Sequence, residues 1–245
     1  MPRLARIERH PIKALGVETV DRTGLTPGAV LPFDRVWAVA HEAAKLQDGW
    51  SPCANFIRGA KSPQLMAITA RTDEDTGRIT LTHPDRPEIT VDPVAESDAL
   101  VDWVRPLTDP NRAQPTQVVR ADVGMTDSDF PSVSILSLAS LAELSDRAGK
   151  ALDPRRFRGN LWLDGLAPWA ECDWVGRSIR VGEAELEVRE RIGRCLATHA
   201  DPDTGARDTD ILGTLREGWG HTQFGIYAVV TKGGQIALDD KVEAL

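Results

Sequence analysis

The residues best suited to chemistry in this chain lie between Arg191 and Gly205. This segment reads Arg-Ile-Gly-Arg-Cys-Leu-Ala-Thr-His-Ala-Asp-Pro-Asp-Thr-Gly, so that Arg194 directly precedes Cys195 and His199 follows it by four residues. A neighbouring guanidinium favours thiolate over thiol, and a thiolate binds soft metals. His199 has the side chain of a general acid or base. The spacing alone leaves open a buried structural cysteine and a structural histidine.

An arginine cluster forms a second candidate site, suited to an anion. Arg155, Arg156, Arg158 and Asn160 surround one phenylalanine. Arginine contacts a phosphate through two hydrogen bonds at once, so this composition favours a phosphate-like ligand. Gly159 would let the backbone approach such a ligand closely. The alternative explanation is a solvated loop.

Two further cations stand at predicted strand ends in the N-terminal half. Lys13 ends the first strand in the sequence Pro-Ile-Lys, and Arg35 follows Asp34 where a later strand starts. Either cation could reach an anion. On their own, an exposed lysine is the better explanation for Lys13, and an ordinary ion pair with Asp34 explains Arg35.

The first half that must position Lys13 and Arg35 reads as β-rich. Alternating or β-branched runs predict strands over residues 4–12, 17–25, 35–41 and 89–91, and a hairpin joins residues 65–71 to 78–82. Residues 97–107 read as a helix that Ser97 could cap. Residues 108–115 are rich in proline, asparagine and aspartate, which indicates a connection between halves.

The second half is mixed. Ile135, Leu138, Leu141 and Leu144 recur at helical spacing, which predicts a helix capped by serine 134 or 137 and ending near glycine 149. A short strand is expected at residues 161–163 and a short helix at 211–216. Residues 178–181 and 185–189 form a predicted hairpin, and residues 224–231 and 235–238 form another. The fold class is therefore mixed and β-dominated (α+β), with a barrel-like sheet and peripheral helices.

Composition excludes several classes of protein. The formal net charge is −8, which argues against non-specific binding of nucleic acid. No apolar run reaches the roughly 18 residues of a membrane span, and no apolar stretch follows the N-terminal arginines as in a signal peptide. Three cysteines without a CxxC pair fit a reducing compartment. We therefore expect a cytoplasmic protein with neither a membrane nor a nucleic acid as partner.

The missing motifs restrict the chemistry further. Neither a dinucleotide-binding glycine pattern nor a phosphate loop occurs, and both GxSxG and HExxH are absent. Three cysteines are too few for a typical ferredoxin-type cluster, which needs four thiolates. A redox role for this chain therefore predicts an external electron-transfer protein as partner.

Several segments, taken together and in order, form one pattern over nearly the whole chain. They are 9–13 (Arg-His-Pro-Ile-Lys), 31–37 (Leu-Pro-Phe-Asp-Arg-Val-Trp), 130–131, 136–141, 156–160, 195–198, 201–205 and 224–227. This pattern resembles the MOSC family, which includes the mitochondrial amidoxime-reducing component, bacterial enzymes that detoxify N-hydroxylated bases, and the C-terminal part of molybdenum-cofactor sulfurase. The resemblance divides the chain into a MOSC N-terminal β-domain at about residues 1–95 and a MOSC domain at about residues 96–245.

The resemblance implies a molybdenum cofactor, molybdopterin with Mo, lying between the two halves. Cys195 corresponds to the family's metal-binding cysteine and is expected to be the metal ligand and a catalytic residue, with His199 beside it. The implied reaction is reduction of a small N-hydroxylated substrate with electrons from an external donor. The residues expected to bind the cofactor are Lys13, Arg35, Ser137, Arg158, Asn160, Arg194 and Thr198.

Four departures from the family pattern bear on the substrate. Ala14 stands where serine is frequent, Gly159 replaces the proline of an RPN motif, and Ile192 replaces a cysteine or proline. His199 stands where threonine is usual. We expect any carrier protein to dock on a basic patch such as Arg155-Arg156, because the overall charge is negative.

Two other functions remain open at this point. In the first, the chain is a non-catalytic carrier of molybdenum cofactor or of sulfur, with a persulfide on Cys195 and no pyridoxal phosphate. In the second, Cys195 and His199 form a nucleophile–base pair. The second is less favoured, because their spacing in a loop does not define a geometry and no third, orienting group is evident.

Overall fold

The protein is described here by a computed structural model that covers residues 1–47, 51–121 and 123–245. Its described part contains three α-helices: α1 (Ser97–Val104), α2 (Leu138–Ala148) and α3 (Ile211–Trp219). Strands dominate, so the predicted mixed, β-dominated fold is confirmed. The strands are β1 (Arg3–Arg9), β2 (Ile12–Lys13), β3 (Glu18–Val20), β4 (Arg22–Leu25), β5 (Trp37–His41), β6 (Thr69–Thr72), β7 (Ile79–His83), β8 (Arg86–Val91), β9 (Pro115–Arg120), β10 (Val133–Ser137), β11 (Leu161–Asp164), β12 (Ser178–Val181), β13 (Ala184–Gly193), β14 (Gln223–Lys232), β15 (Gly234–Ala237) and β16 (Val242–Ala244).

The largest sheet joins the two ends of the chain. Its eight strands lie in the order β16-β12-β13-β14-β10-β11-β1-β3. The N-terminal strand β1 pairs antiparallel with β11, with Ile7 opposite Leu161, and β11 pairs parallel with β10. Strands from the first 20 residues therefore complete a sheet built mainly from the C-terminal half. The domain boundary near residue 95 stays a prediction.

Alternation along β14 shows why this sheet forms. Phe224, Ile226, Ala228 and Val230 are buried at every second position, as expected when one face of a strand packs on a core. Neighbouring strands add apolar side chains to the same core, including Leu161 from β11. Burial of apolar surface, at about 25 cal/mol per Å², is the main force that holds these strands together.

A second core lies in the N-terminal half. Strands β2, β5 and β9 form one small sheet, and β6, β7 and β8 form another. Trp37, Ile79, Leu100 and Val118 pack in this core and link both sheets to α1. Strand β9 was not predicted from the sequence; it begins at Pro115, the last residue of the segment predicted as a connection. Ser97 does not cap α1: it is the first helical residue, and its hydroxyl accepts a hydrogen bond from the Val118 amide at 2.8 Å.

The predicted helix over residues 135–144 is two elements. Residues 133–137 form the buried strand β10, and α2 begins only at Leu138. Ile135 belongs to the strand, where its apolar side chain fits a buried sheet equally well, so its place in a helix was wrong. Ser137 is the cap, since its hydroxyl accepts a hydrogen bond from the Ser140 amide at 3.3 Å. The predicted stop at Gly149 is confirmed, with a left-handed φ of 66°.

Of the two predicted hairpins in the second half, one is confirmed. Strands β12 and β13 pair across Gly182, whose φ is 54°. The other prediction was wrong, because β15 does not pair with β14. Strand β15 pairs with β4 and places Ile236 opposite Thr23. The physical reason is that both edges of β14 are already taken by β10 and β13, so the chain leaves this sheet at Gly233.

Candidate functional site

A cavity of about 290 Å³ lies where the two halves of the chain meet. It is called the site cavity below. Lys13 lines the cavity from strand β2, and Arg158 lines it directly after the 3₁₀ turn at Pro154–Phe157. Arg194 and Cys195 line it directly after the end of β13. Six of the nine predicted site residues line this cavity: Lys13, Arg35, Arg158, Arg194, Cys195 and Thr198.

The other three predicted residues do not line the site cavity. Ser137 caps α2. The side-chain amide of Asn160 accepts from the Ser134 amide and donates to the Glu8 carbonyl at 3.1 Å, which ties β10 to β1. The His199 ring accepts from the Leu212 amide at 3.2 Å at the start of α3. Burial lowers the pKa of His199, so the ring is neutral at pH 7. A neutral ring has the free acceptor nitrogen that the contact with the Leu212 amide requires.

Lys13 is held in place by three oxygen atoms. Its Nζ donates to the Met125 carbonyl at 2.7 Å, to the Thr126 carbonyl at 3.2 Å and to Asp127 Oδ1 at 2.6 Å. Burial lowers the pKa of Lys13, and the Asp127 carboxylate opposes that shift. The Asp127 side chain is 57% exposed, so this ion pair faces the open part of the cavity. A ligand anion at Lys13 would have to compete with Asp127.

Arg35 is positioned by its buried neighbour Asp34. The residue has a left-handed φ of 53°, and its guanidinium donates to Asp34 and to the Arg158 carbonyl at 3.1 Å. Asp34 also accepts from the His10 amide at 2.7 Å. Burial favours the neutral form of Asp34, but the charge of Arg35 and the bonds from His10 outweigh burial and lower the pKa of Asp34. The carboxylate is therefore ionised and fixes Arg35 at the cavity.

His10 makes stability depend on pH. Burial, with the charge of Arg158, lowers its pKa from 6.5 to about 3. Below pH 6.5 His10 becomes protonated in the unfolded chain but stays neutral in the folded chain. The free energy of unfolding should therefore fall between pH 6.5 and 3. The expected loss from this residue between pH 7 and 5 is about 2 kcal/mol.

Urea unfolding at pH 7 and pH 5 measures this effect. His10→Gln, which keeps a donor for Asp34 but does not titrate, should reduce the difference between the two midpoints. His221→Gln, at a half-buried histidine near the end of α3, is the matched control and should leave the difference unchanged. Equal pH dependence in the wild type and His10→Gln would contradict a buried, neutral His10.

Arg158 occupies a strained backbone position directly after the 3₁₀ turn. Its φ is 48°, and its guanidinium donates to the Gly16 carbonyl at 3.0 Å and to the Ile12 carbonyl at 3.4 Å. Burial and the charge of Arg35 lower its pKa to about 9, so it stays charged at pH 7. A Cβ on the next residue, Gly159, would lie 2.3 Å from Leu136 Cδ1, so a larger residue there would require the Leu136 side chain to move. Glycine in place of the proline of the family's RPN motif avoids this contact.

Arg194 is held against two aromatic rings. Its guanidinium carbon lies 5.6 Å from the ring centroid of Phe157 and 6.0 Å from that of Phe224. It donates to the Phe224 carbonyl at 2.8 Å and to the Phe157 carbonyl at 2.9 Å. Burial lowers its pKa to about 10. Gly225, with a φ of 80°, is required here, because a Cβ would lie 2.9 Å from the Ile135 carbonyl oxygen.

The site cavity therefore has uncompensated positive charge. Arg158 and Arg194 have only backbone carbonyls as hydrogen-bond partners among the described residues. Both residues are half-buried. Charges that are withdrawn from water are normally paired, so these two guanidinium groups fit an anionic ligand such as a phosphate. Arg35 also lines the cavity, where Asp34 pairs with it.

Cys195 presents an exposed sulfur at the wall of the site cavity. It follows β13 and precedes the 3₁₀ turn Leu196–His199, where the Thr198 hydroxyl donates to the Cys195 carbonyl at 3.0 Å. Cys172, by contrast, is buried, and burial raises its pKa to about 11. Of these two thiols, only Cys195 is placed to bind a metal from solvent or from a cofactor. Across the described residues, no three side chains of the His, Cys, Asp and Glu types cluster as a metal site, so a metal at Cys195 would need further ligands from outside the chain.

Four polar residues of the cavity wall were not predicted from the sequence as site residues: Cys53, Arg58, Asp127 and Tyr227. Arg58 Nη1 lies 3.7 Å from Cys53 Sγ, so the cysteine treated as isolated has a cationic neighbour. Tyr227 lies in the family-like segment 224–227 and Asp127 lies outside these segments, and no local pattern distinguishes either side chain from surface residues. Their common position appears only when β2, β10 and β14 are brought together.

The arginine pair expected to dock a carrier protein is not a basic patch. Arg156 is only 1% exposed and pairs with Asp201 at 3.1 Å and with Asp208 at 2.8 Å. Arg155 pairs with Asp153 at 2.6 Å and also with Asp203. That prediction was wrong, because four carboxylates neutralise the pair and Arg156 has no access to a partner protein.

Fold and site together define a strand-rich protein whose two halves enclose a cationic cavity with one exposed thiol. Residues 1–113 match the MOSC N-terminal beta barrel domain, and residues 125–243 match the MOSC domain. These two matches cover almost the whole chain, and the chain belongs to the MOSC family. The resemblance predicted from the sequence is therefore confirmed.

Several curated proteins are similar in sequence. Mitochondrial amidoxime-reducing component 1 of Homo sapiens is 34% identical over 48% of this chain and 38% of its own length. The Mus musculus protein of that name is 24% identical over 84% of this chain and 67% of its own. A molybdenum cofactor sulfurase of Anopheles gambiae is 25% identical over 92% of this chain but 34% of its own length. The chain thus spans well under half of the human and mosquito proteins.

Solved structures give weaker matches. The YuaD protein of Bacillus subtilis covers 100% of this chain and 96% of its own, with a TM-score of 0.48 at 12% identity. YiiM of Geobacillus stearothermophilus covers 46% of this chain and 53% of its own, with a TM-score of 0.35 at 21% identity. In the described residues, no helix is both long and apolar enough to span a bilayer.

Proposed function

We propose that this protein binds a molybdenum cofactor in the site cavity and reduces small N-hydroxylated compounds with electrons from an external protein. One observation carries the proposal: an exposed thiol, Cys195, shares a cavity with the half-buried guanidinium groups of Arg158 and Arg194, which no described carboxylate pairs. The pterin phosphate is the anion for these cations, and the thiolate is a soft ligand for molybdenum.

The cavity residues have two tasks in this scheme, binding the phosphate and binding the metal. Arg158, Arg194 and Arg35 neutralise the phosphate, and their carbonyl and carboxylate partners hold them in place before the ligand arrives. Cys195 supplies one sulfur ligand from the rim. The bound group supplies two-electron redox chemistry at the metal. The chain supplies positioning, charge and protons.

The names of the relatives support this proposal and one alternative. Similarity to amidoxime-reducing components favours reduction of N-hydroxylated compounds as the function of this chain. Similarity to molybdenum cofactor sulfurases favours handling of the cofactor or of its sulfur. The exposed thiol of Cys195 also suits the alternative, in which it carries a persulfide.

Metal analysis together with a turnover assay separates the two functions. Protein from a host that makes molybdopterin should contain Mo and pterin near one per chain. With reduced viologen it should convert amidoximes and hydroxylamines, and with NADH alone it should not. Bound cofactor without turnover of any substrate, or a persulfide on Cys195, would support the carrier function. Protein with neither metal nor pterin would contradict the proposal.

Arg158 should be required to retain the cofactor. Arg158→Ala removes a charged donor, and a hydrogen bond to a charged group is worth about 1.5–3 kcal/mol. Retained pterin should fall about tenfold or more after gel filtration. Arg71→Ala, at an exposed arginine of β6, is the matched control and should retain pterin as the wild type does. Equal retention in both variants would remove Arg158 from the binding site.

A further inference from the structure

Tyr227 is the one tyrosine of the chain, and it lines the site cavity. Strand β14 places it opposite Ser134 of β10 and Glu190 of β13, at the centre of the large sheet. Its ring packs edge-on against Phe130, with centroids 6.4 Å apart and planes at 90°. Because the paired strands on both sides and the Phe130 ring restrict it, the phenol has a defined position in the cavity wall.

Among the hydroxyl groups of the site cavity, that of Tyr227 has no partner in the part of the chain that the structure describes. Three hydroxyl side chains line this cavity. Ser134 donates to Asn160 Oδ1 at 2.8 Å, and Thr198 donates to the Cys195 carbonyl at 3.0 Å. Tyr227 makes no hydrogen bond to any residue that the structure describes. Tyr227 is half-buried, and a hydroxyl that no described residue engages is available to a ligand.

The other polar groups of the cavity are poorly suited to give up a proton. The arginines remain charged at neutral pH. Lys13 has its ammonium protons engaged by two carbonyls and Asp127. His199, the acid or base expected from the sequence, lies outside the cavity lining. The carboxyl of Asp127 is ionised: partial desolvation in the cavity opposes this, but the charges of Lys13 and Arg35 lower its pKa.

We propose that the Tyr227 hydroxyl binds the N–O group of the substrate and donates a proton to its departing oxygen. This inference rests on the proposed function. Reduction of R–NH–OH breaks the N–O bond and consumes an electron pair and two protons, giving R–NH₂ and water. The external donor supplies the electrons, Tyr227 supplies one proton, and solvent supplies the other and then reprotonates the phenolate.

The charges around Tyr227 keep the phenol protonated. Burial raises its pKa above the ordinary value of 10, and the nearby carboxylates Asp127 and Glu190 raise it further. The cations Arg194 and Arg35 oppose this shift. The same cations would stabilise the phenolate left after proton transfer, so they lower the cost of the step.

Tyr227→Phe tests the inference, because it removes only the hydroxyl and keeps the ring against Phe130. In holo-protein with reduced viologen, kcat should fall roughly 100-fold, the lower end of the range for general acid catalysis. KM should change much less, and Mo and pterin contents should equal those of the wild type. Thr231→Val, at an exposed hydroxyl on the same strand, is the control and should behave as the wild type.

A second measurement does not depend on turnover. Because Tyr227 is the only tyrosine, tyrosinate absorbance reports its ionisation alone. The folded protein should ionise above pH 10 and the urea-unfolded protein at about pH 10. Ionisation at the ordinary pH in the folded state, or wild-type kcat in Tyr227→Phe with full cofactor, would overturn the inference and leave the proposed function standing. A wild type that binds cofactor but reduces no substrate would remove the function and this inference together.

Discussion

Cys195→Ser should lose the N-reducing activity. Cys195 is the cysteine of the site cavity whose sulfur is exposed, and serine offers a harder oxygen that is rarely deprotonated at neutral pH. Loss of an outer-shell partner of a metal already costs up to about 100-fold in activity, so loss of a direct ligand should cost at least that. The assay is turnover of an amidoxime by holo-protein with reduced viologen.

The control for Cys195→Ser lies in the same cavity. Cys53→Ser changes the same type of side chain on a different segment of the wall, where Arg58 is its neighbour. It should keep bound Mo and much of the activity, because the family pattern places the metal ligand at residue 195. Molybdenum content alone is the weaker measurement, since the pterin of the proposed cofactor also binds the metal and would retain it without the thiolate. Activity lost in Cys53→Ser but kept in Cys195→Ser would move the metal to the other thiol.

Residues in recognisable local patterns could be predicted from the sequence. Lys13, Arg35, Arg158 and Cys195 stand in short segments whose order along the chain resembles the MOSC pattern, and all of them line one cavity. Tyr227 could not be singled out, because nothing in Phe-Gly-Ile-Tyr shows that its hydroxyl lacks a partner. That property depends on how β10, β13 and β14 pair, over separations that local periodicity does not encode.

Errors in the fold have the same origin. Strand β15 follows β14 after a single glycine, which favours a hairpin on local grounds, yet β15 pairs with β4 from the other end of the chain. Ile135 fits a helical spacing with Leu138, although its strand β10 is buried between β11 and β14. Long-range pairing decided both cases, and a single sequence carries no direct signal for it.

Arg156 shows how this difficulty extends to charged residues. Its sequence neighbours suggest a solvated, basic loop. Its partners Asp201 and Asp208 are 45 and 52 residues away and come from the segment that follows Cys195. The Arg156 guanidinium also donates to the His199 carbonyl at 3.3 Å. These contacts fasten the loop that includes Cys195 to the turn before Arg158.

Arg156→Ala should therefore destabilise the fold strongly. Removing one partner of a buried ion pair typically costs about 3–5 kcal/mol, because the remaining charge stays poorly solvated. Asp201 and Asp208 retain 24% and 23% side-chain exposure, which places the expected loss near the lower end, at about 3 kcal/mol. For a chain of this size, Tm should fall by roughly 6–12 °C. Thermal and urea unfolding at pH 7 measure both quantities.

Arg180→Ala is the matched control for this substitution. Arg180 pairs with Glu185 at 3.1 Å, but its side chain is 43% exposed, and an exposed pair is worth less than about 1 kcal/mol. Below the ordinary pKa of aspartate, the free energies of unfolding of Arg156→Ala and of the wild type should become more similar. The wild type itself loses the Arg156 contribution there, since Arg156 lowers the pKa of Asp208. A loss no greater than that of Arg180→Ala would contradict the view that Arg156 holds the Cys195 loop in place.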